Sequence, residues 1–181
     1  MSRFGYVMAT YLAVLAAGGL AFFHPAPWLI WNATASTPTG LYVLRPVGEL
    51  RRLELVAVLP PEPVASYLAD GGFLPRGVPL LKHVMAMPGQ TVCRAGDAVT
   101  IDHAEVGAAQ SRDHLGRPLP RWSGCRMLFP GEVFLMNPTM PDSLDGRYFG
   151  PLPVSSIVAR AVPLWTDEAG DGRFVWRAAA E

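Results

Sequence analysis

The chain has 181 residues, apolar side chains at 50% of its positions and a formal net charge of zero at pH 7. This length fits one domain, and arginines that are scattered along the chain form no basic face for nucleic acid. Eighteen glycines and eighteen prolines favour short strands joined by turns, with long helices restricted to the N-terminus.

The N-terminal segment is apolar. No charged residue lies between Arg3 and Arg45, and the run from Tyr6 to Phe23 is just long enough to cross a hydrocarbon core of roughly 30 Å as a helix. We expect an uncleaved membrane anchor over residues 1–24, with its N-terminus in the cytoplasm. The alternatives are a cleaved signal peptide, for which the run is too long and the cleavage site poor, and a buried core helix.

Two tryptophans, Trp28 and Trp31, follow in an apolar stretch. Two interpretations stay open here. Tryptophan is common at the headgroup level of a membrane, where an amphipathic ring is stable. The same stretch also fits an ordinary buried strand.

From Leu41 onward the pattern predicts a mainly β domain over residues 25–165. A polar excursion at about 94–124 should form a hairpin with a mobile loop, and a C-terminal tail should cover 166–181. Strand-like runs lie at 41–44, 53–59, 80–87, 98–102, 133–136 and 157–164, with one short helix at 64–70. In the tail, Phe174, Val175 and Trp176 are expected to pack back onto the body.

The segment from Asn32 to Tyr42 places a serine, Ser36, before a proline and a Thr-Gly turn, a short distance after the apolar run. This position suggests a nucleophile that works close to a membrane surface. A base for it must be able to lose its proton, which arginine cannot do at ordinary pH. Lys82 is the only lysine in the chain, and it is therefore the candidate.

Lys82 lies in the apolar run from Leu80 to Met87. Removing a proton from an ordinary lysine at neutral pH costs roughly 4 kcal/mol, and burial can lower the pKa by up to about 3–5 units. A neutral lysine can then accept the proton of a serine hydroxyl. Composition alone favours the simpler interpretation, a lysine at a strand edge with its ammonium in water.

Three motifs favour the catalytic interpretation of Lys82, because together they resemble the type I signal peptidase superfamily. The first is Ser36-Thr37-Pro38-Thr39-Gly40, which resembles the Ser-x-Pro-x-Gly box. The second runs from Lys82-His83-Val84 to Pro88-Gly89 and resembles the lysine box. The third consists of Gly131-Glu132-Val133-Phe134-Leu135-Met136-Asn137 and then Ser143-Leu144-Asp145-Gly146-Arg147-Tyr148-Phe149-Gly150-Pro151, which resembles the final box. The small size and the Arg-Tyr-Phe-Gly-Pro ending are most like the conjugative-transfer (TraF-type) branch, which matures a pilin.

The resemblance implies a serine–lysine peptidase with a signal-peptidase-like antiparallel β catalytic domain on the outer face of the bacterial cytoplasmic membrane. Ser36 is then the nucleophile and Lys82 the general base. The backbone N–H of Ser36 and the hydroxyl of Thr34 would stabilise the oxyanion. Ser143 would orient the lysine amine, and Asp145 and Arg147 would form a supporting ion pair on one strand-like face.

Three positions depart from the usual boxes: His83 stands for arginine, Gln90 for aspartate and Gly146 for serine. His83 is adjacent to Lys82, but neighbours on a strand point to opposite faces. We therefore give His83 no catalytic role. The departures affect the supporting network more than the Ser36–Lys82 pair.

Cys93 and Cys125 bracket the polar excursion. In an extracytoplasmic compartment they could form a disulfide, while two free buried thiols are the alternative. The four histidines form no cluster at metal-ligand spacing, so we expect no metal and no other cofactor.

The predicted activity is cleavage of a pilin or a signal-peptide-bearing precursor just outside the membrane. In the conjugative branch the acyl-enzyme is resolved by the pilin's own amino terminus, which makes a circle. Two rivals remain: a general type I signal peptidase with the same chemistry, and a non-enzymatic anchored β-domain that assists pilus assembly. A cytoplasmic self-cleaving repressor is remote, because the sequence has no DNA-binding segment.

Overall fold

The structure is a computed structural model that describes residues 3–22 and 28–177. The predicted end of the anchor at 23–24, the first residues of the β domain at 25–27 and the last four residues of the tail lie outside the described residues. Three α-helices are present in the described ranges, α1 Arg3–Phe22, α2 Val64–Asp70 and α3 Gly146–Phe149, together with one 3-10 helix, Val154–Ser156. The strands are β1 Leu29–Asn32, β2 Thr39–Arg45, β3 Leu55–Val58, β4 Leu80–Ala86, β5 Thr91–Ala95, β6 Ala98–Ile101, β7 Ala104–Ala108, β8 Gly124–Met127, β9 Glu132–Met136, β10 Leu152–Pro153, β11 Ile157–Asp167 and β12 Val175–Trp176.

The N-terminal segment forms the helix α1, but the predicted membrane-spanning anchor is not supported. Across residues 3–22 and 28–177, no helix combines the length and the hydropathy that a membrane span requires.

The larger sheet has eight strands and is antiparallel throughout. Its order is β1-β2-β11-β3-β4-β9-β10, and β12 pairs with the end of β11. β4, which carries Lys82, therefore lies between β3 and β9 in the interior of the sheet. A lysine on such a strand is shielded from water by its neighbours, which the sequence pattern could not establish.

The predicted excursion folds as a second antiparallel sheet of four strands in the order β7-β6-β5-β8. The core between the two sheets joins Met85, Phe134 and Met136 of the large sheet to Val92 and Val99 of the small one. The hairpin of this excursion is β6–β7, of which the sequence predicted only the first strand. It is followed by an irregular loop in which Arg112 and Pro118 form an isolated bridge.

Most predicted elements are present, with shifted ends. The helix at 64–70 has the predicted bounds, while β3 is shorter than predicted and β11 continues to Asp167. The tail boundary at 166 therefore falls inside a strand. As predicted for the tail, β12 pairs with β11, and Phe174 contacts Trp31 and Trp165.

A disulfide joins Cys93 of β5 to Cys125 of β8, two residues that face each other in the small sheet. The bridge closes a loop with a sequence separation of 32 residues. In the chain-entropy model, a loop of this length stabilises the fold by about 3–4 kcal/mol.

We predict that the double variant Cys93→Ser, Cys125→Ser unfolds with a free energy about 3–4 kcal/mol lower than the oxidised chain. Urea unfolding followed by circular dichroism measures the difference. The double variant should be indifferent to a reducing agent, whereas the wild-type chain should lose the same stability on reduction. A wild-type urea midpoint that is unchanged by reduction would contradict the prediction.

Candidate active site

Ser36 lies in the loop 33–38, which connects β1 to β2 as an antiparallel hairpin. The last pair of that hairpin is Asn32 and Gly40. The side-chain nitrogen of Asn32 donates to Thr37 Oγ1 at 2.8 Å, and its oxygen accepts from the backbone N–H of Thr34 at 3.2 Å. An asparagine that bonds to the backbone ahead of it is a common way to fix a turn, so Asn32 shapes the loop that carries the serine.

Gly40 is required by a close backbone approach. Its φ of +137° suits glycine, and a Cβ at this position would lie 2.3 Å from the carbonyl oxygen of Trp165 on β11. The glycine of the Ser-x-Pro-x-Gly box therefore lets β2 press against β11 directly after the serine loop.

Lys82 on β4 is only 2% exposed. Its ammonium nitrogen, Nζ, donates to Ser143 Oγ at 2.8 Å. Burial lowers the pKa of Lys82 to about 8. The Asp145 carboxylate opposes this shift with a smaller raising effect, and Arg147 adds a smaller lowering effect. The interpretation as a strand-edge lysine in water does not hold, because the side chain is buried.

Ser36, Lys82 and Ser143 line one cavity of about 750 Å³, together with Thr34. The structure thus brings together residues that are separated by up to 107 positions in the sequence. The remaining wall is largely apolar and includes Ile30, Trp31, Leu68, Phe73, Leu74, Leu119 and Tyr148. A hydroxyl and an amine of lowered pKa thus share an apolar cleft, which is the setting that a serine–lysine pair requires.

Thr34 lies beside Ser36, with its hydroxyl oxygen 3.1 Å from Ser36 Oγ. The same hydroxyl donates to Asn32 Oδ1 at 2.9 Å. A threonine hydroxyl has one proton, so in this arrangement Thr34 accepts from Ser36. Thr34 would have to release Asn32 before it could donate to an oxyanion.

Asp145 and Arg147 form an ion pair with 2.9 Å between Arg147 Nη2 and Asp145 Oδ2, and their side chains are 2% exposed or less. The predicted location on a strand-like face is wrong, because Asp145 caps the short helix α3 and accepts from the backbone N–H of Arg147. Arg147 Nη2 also donates to the carbonyl oxygens of Met140 and Ser143. The pair therefore holds the loop that presents Ser143 to Lys82.

Sequence reasoning missed two asparagines at this site, Asn32 and Asn137. Asn137 follows β9, and its amide contacts the backbone of Ser36, Leu81 and His83. Asn32 stood within a recognisable turn motif and could have been found as a turn residue. Asn137 ended the first part of the third motif, but its role could not be inferred, because the partners of its side-chain amide lie 54 to 101 residues away in the sequence.

Each departure from the usual boxes has a local partner. His83 Nδ1 lies 3.0 Å from Asn137 Oδ1, and burial lowers the pKa of this imidazole. Gln90 fixes the turn after β4 by accepting from the backbone N–H of Met87. Gly146 has no room for a side chain, because a Cβ would lie 2.6 Å from the ring of Phe134.

Within residues 3–22 and 28–177, no cluster of three or more His, Cys, Asp or Glu side chains could hold a metal ion.

Comparison with known proteins identifies the family. The model of the signal peptidase family, peptidase S26, matches residues 1–165. The chain belongs to this family. Family membership makes it a serine peptidase-type enzyme.

Several curated relatives of this S26 peptidase are similar over most of their length. A conjugal transfer protein TraF from Agrobacterium fabrum is 35% identical over 75% of this chain and 81% of that protein. A plasmid transfer protein TraF from Escherichia coli is 33% identical over 92% of this chain and 99% of its own. A signal peptidase I crystal structure from Enterococcus faecalis overlaps with 63% of this chain and 97% of its own at 18% identity and a TM-score of 0.38, which is too low for a comparison of the folds.

We predict that Asp145→Ala in this S26 peptidase lowers the free energy of unfolding by about 3–5 kcal/mol, because Arg147 is then left buried without its counter-charge. Urea unfolding measures the loss. The matched control is Asp171→Ala. Asp171 Oδ2 lies 3.8 Å from Nε of Arg173, whose side chain is 89% exposed, so this change should cost at most about 1 kcal/mol. Equal losses in the two variants would show that the buried pair has no special structural role.

Proposed function

We propose that the chain is a serine endopeptidase in which Ser36 is the nucleophile and Lys82 the general base. The observation that carries the proposal is the buried Lys82 amine, held 2.8 Å from Ser143 Oγ at the wall of the cavity that Ser36 also lines. A lysine held at a pKa near 8 loses its proton at pH 7 for a cost of about 1.4 kcal/mol, one pKa unit. This cost is small against the barrier of peptide cleavage.

The proposed reaction begins when the neutral Lys82 amine takes the proton of the Ser36 hydroxyl. The Ser36 oxygen attacks the carbonyl carbon of the scissile bond and forms a tetrahedral intermediate. Its oxyanion is stabilised by the backbone N–H of Ser36 and by the Thr34 hydroxyl, after that hydroxyl exchanges Asn32 for the oxyanion. The Lys82 ammonium then protonates the leaving amine, and an acyl-enzyme on Ser36 remains.

Ser143 orients the base during this cycle. Its hydroxyl accepts from Lys82 Nζ, and it is itself held through its backbone carbonyl oxygen by Arg147. A fixed acceptor on one side of the amine directs the nitrogen lone pair toward the cavity. Water or a peptide amine can then resolve the acyl-enzyme by the reverse sequence of proton transfers.

We further propose that the substrate is a conjugative pilin precursor, which the enzyme matures and can join end to end. The support is the similarity to conjugal and plasmid transfer proteins named TraF, over 75–92% of this chain. The second candidate is general removal of signal peptides, which the family description favours. The two share all of the chemistry at Ser36 and differ only in the precursor.

The proposed location is the outer face of the cytoplasmic membrane. A disulfide between Cys93 and Cys125 fits an oxidising compartment. Next to the cavity, a connected aromatic face consists of Trp31, Trp165, Phe174 and Trp176, in which neighbouring rings lie 4.6–6.4 Å apart. Trp28 and Trp176 are 78% and 66% exposed, and exposed tryptophan is typical of a surface that rests against lipid headgroups.

The test of this function is co-expression of the chain with a candidate conjugative pilin precursor, followed by mass measurement of the product. We expect the wild-type chain to convert the precursor completely. Ser36→Ala and Lys82→Ala should each leave it unprocessed, because one lacks the nucleophile and the other the base. Loss of one water relative to the linear product would identify ring closure, and processing by the Ser36→Ala variant would refute the proposed nucleophile.

The rate of cleavage should depend on pH through Lys82. The base is active when neutral, so log(kcat/KM) should fall with unit slope as the pH drops below about 8 and should be level above it. Burial lowers the pKa of His83 below that of an ordinary imidazole. His83→Gln should therefore keep the same acid limb, and disappearance of the limb in that variant would assign it to His83 instead.

A further inference from the structure

The side chain of Asn137 is only 1% exposed, and both its amide nitrogen and its amide oxygen make hydrogen bonds. The nitrogen donates to the carbonyl oxygen of Ser36 and, at 3.0 Å, to that of Leu81. The oxygen accepts from the backbone N–H of His83 at 3.2 Å and lies 3.0 Å from His83 Nδ1. An amide can make four such bonds, so its capacity is fully used.

These contacts connect the nucleophile to the strand of the base. Ser36 provides one of the carbonyl oxygens itself, and Leu81 and His83 flank Lys82 on β4. The planar side-chain amide of Asn137 therefore connects the backbone of Ser36 to the backbone of β4 on either side of Lys82. The geometry of this amide fixes the distance between the serine loop and β4.

Asn137 is in turn anchored to the third part of the site. Its backbone N–H donates to Asp145 Oδ2 at 3.0 Å, and its carbonyl oxygen accepts from Arg147 Nη2 at 3.4 Å. The ion pair that holds the Ser143 loop thus also holds the backbone of Asn137. Ser36, Lys82 and Ser143 are connected through this one residue.

A purely structural role for Asn137 would be to stabilise the sheet. However, β4 and β9 are already held in register by their own ladder, with His83 opposite Met136. The loop 33–38 has no such ladder to β4, because β11 and β3 lie between β2 and β4 in the sheet. Among the hydrogen bonds of residues 3–22 and 28–177, the bond from Asn137 to Ser36 is the one that connects this loop to the segment after β9, which carries Ser143.

We propose that Asn137 is a positioning residue, whose side-chain amide sets the separation and orientation of Ser36 relative to Lys82. The inference rests on the proposed serine–lysine mechanism. It goes beyond that mechanism by assigning the alignment of the pair to a residue outside the nucleophile, base and oxyanion groups. Misplacement of reacting groups by about 1 Å can cost roughly 10²-fold in rate.

The test compares purified full-length Asn137→Ala with the wild-type chain. A serine-directed acylating probe gives the rate of acylation at Ser36, and the pilin precursor gives kcat and KM. We expect acylation and kcat to fall about 10²-fold, with KM within about threefold, because the apolar wall of the cavity is unchanged. A change in KM without a change in kcat, or an unchanged acylation rate, would overturn the proposal.

Two further variants separate positioning from stability. Ser156→Ala removes another buried hydrogen bond, from Ser156 Oγ to the carbonyl oxygen of Pro153, and Ser156 is not among the residues that line the cavity. At matched folded fraction by circular dichroism, Ser156→Ala should acylate at the wild-type rate and Asn137→Ala should not. Equal rates in the two variants would reduce Asn137 to a stabilising residue. If Asn137→Ala does not fold, Asn137→Ser takes its place, since a hydroxyl has one proton and cannot donate to both carbonyl oxygens.

Asn137→Asp gives a readout that a stabilising role would not produce. The carboxylate keeps the shape of the amide but cannot donate to Ser36, and it adds a negative charge among Lys82, His83, Asp145 and Arg147. We expect slower acylation and an acid limb displaced to higher pH, because a nearby anion favours the protonated lysine. Wild-type acylation by this variant would overturn the proposal. Activity that survives in Ser36→Ala would instead refute the underlying mechanism.

Discussion

The site depends on one hydrogen bond inside the protein, from the amine of Lys82 to the hydroxyl of Ser143. A cation buried on a central strand loses the solvation that water gives it, and the protein responds by lowering its pKa rather than by pairing it directly with an anion. A hydroxyl is a suitable partner, because it can accept from the amine in either protonation state. A carboxylate at the same distance would have fixed the ammonium and removed the base.

The charges that do occur nearby act on the pKa of Lys82 in opposite directions. Asp145 favours the protonated form and Arg147 disfavours it, and both effects are smaller than that of burial. The buried pair therefore shapes the loop while the pKa of Lys82 stays lowered. Four hydrogen bonds reach the Asp145 carboxylate, and they tie it to Arg147 and to the backbone of Asn137. A buried ion pair is costly on its own. Here its hydrogen bonds to backbone groups offset that cost and give the irregular segment between β9 and α3 a defined shape.

Local chemistry explains which features the sequence could predict. The helix at 64–70 had clear boundaries, because prolines precede it and paired glycines follow it, and Ser36 and Lys82 were marked by motifs. β5, β7 and β8 were missed, since they are short and interrupted by polar residues or glycine. Asn137 could not be recognised, because its role depends on contacts that only the folded chain creates. The apolar N-terminal segment was predicted to span a membrane, and the structure does not support that for the described residues.

The backbone contact at Gly40 links two parts of the molecule that have different roles. On one side it ends the hairpin that carries Ser36, and on the other it touches Trp165, whose ring belongs to the aromatic face. The loop that carries Ser36 and the tryptophan surface therefore have a fixed position relative to each other. A methyl group at this glycine would push the two strands apart, and it would change the position of the serine loop relative to the tryptophan surface.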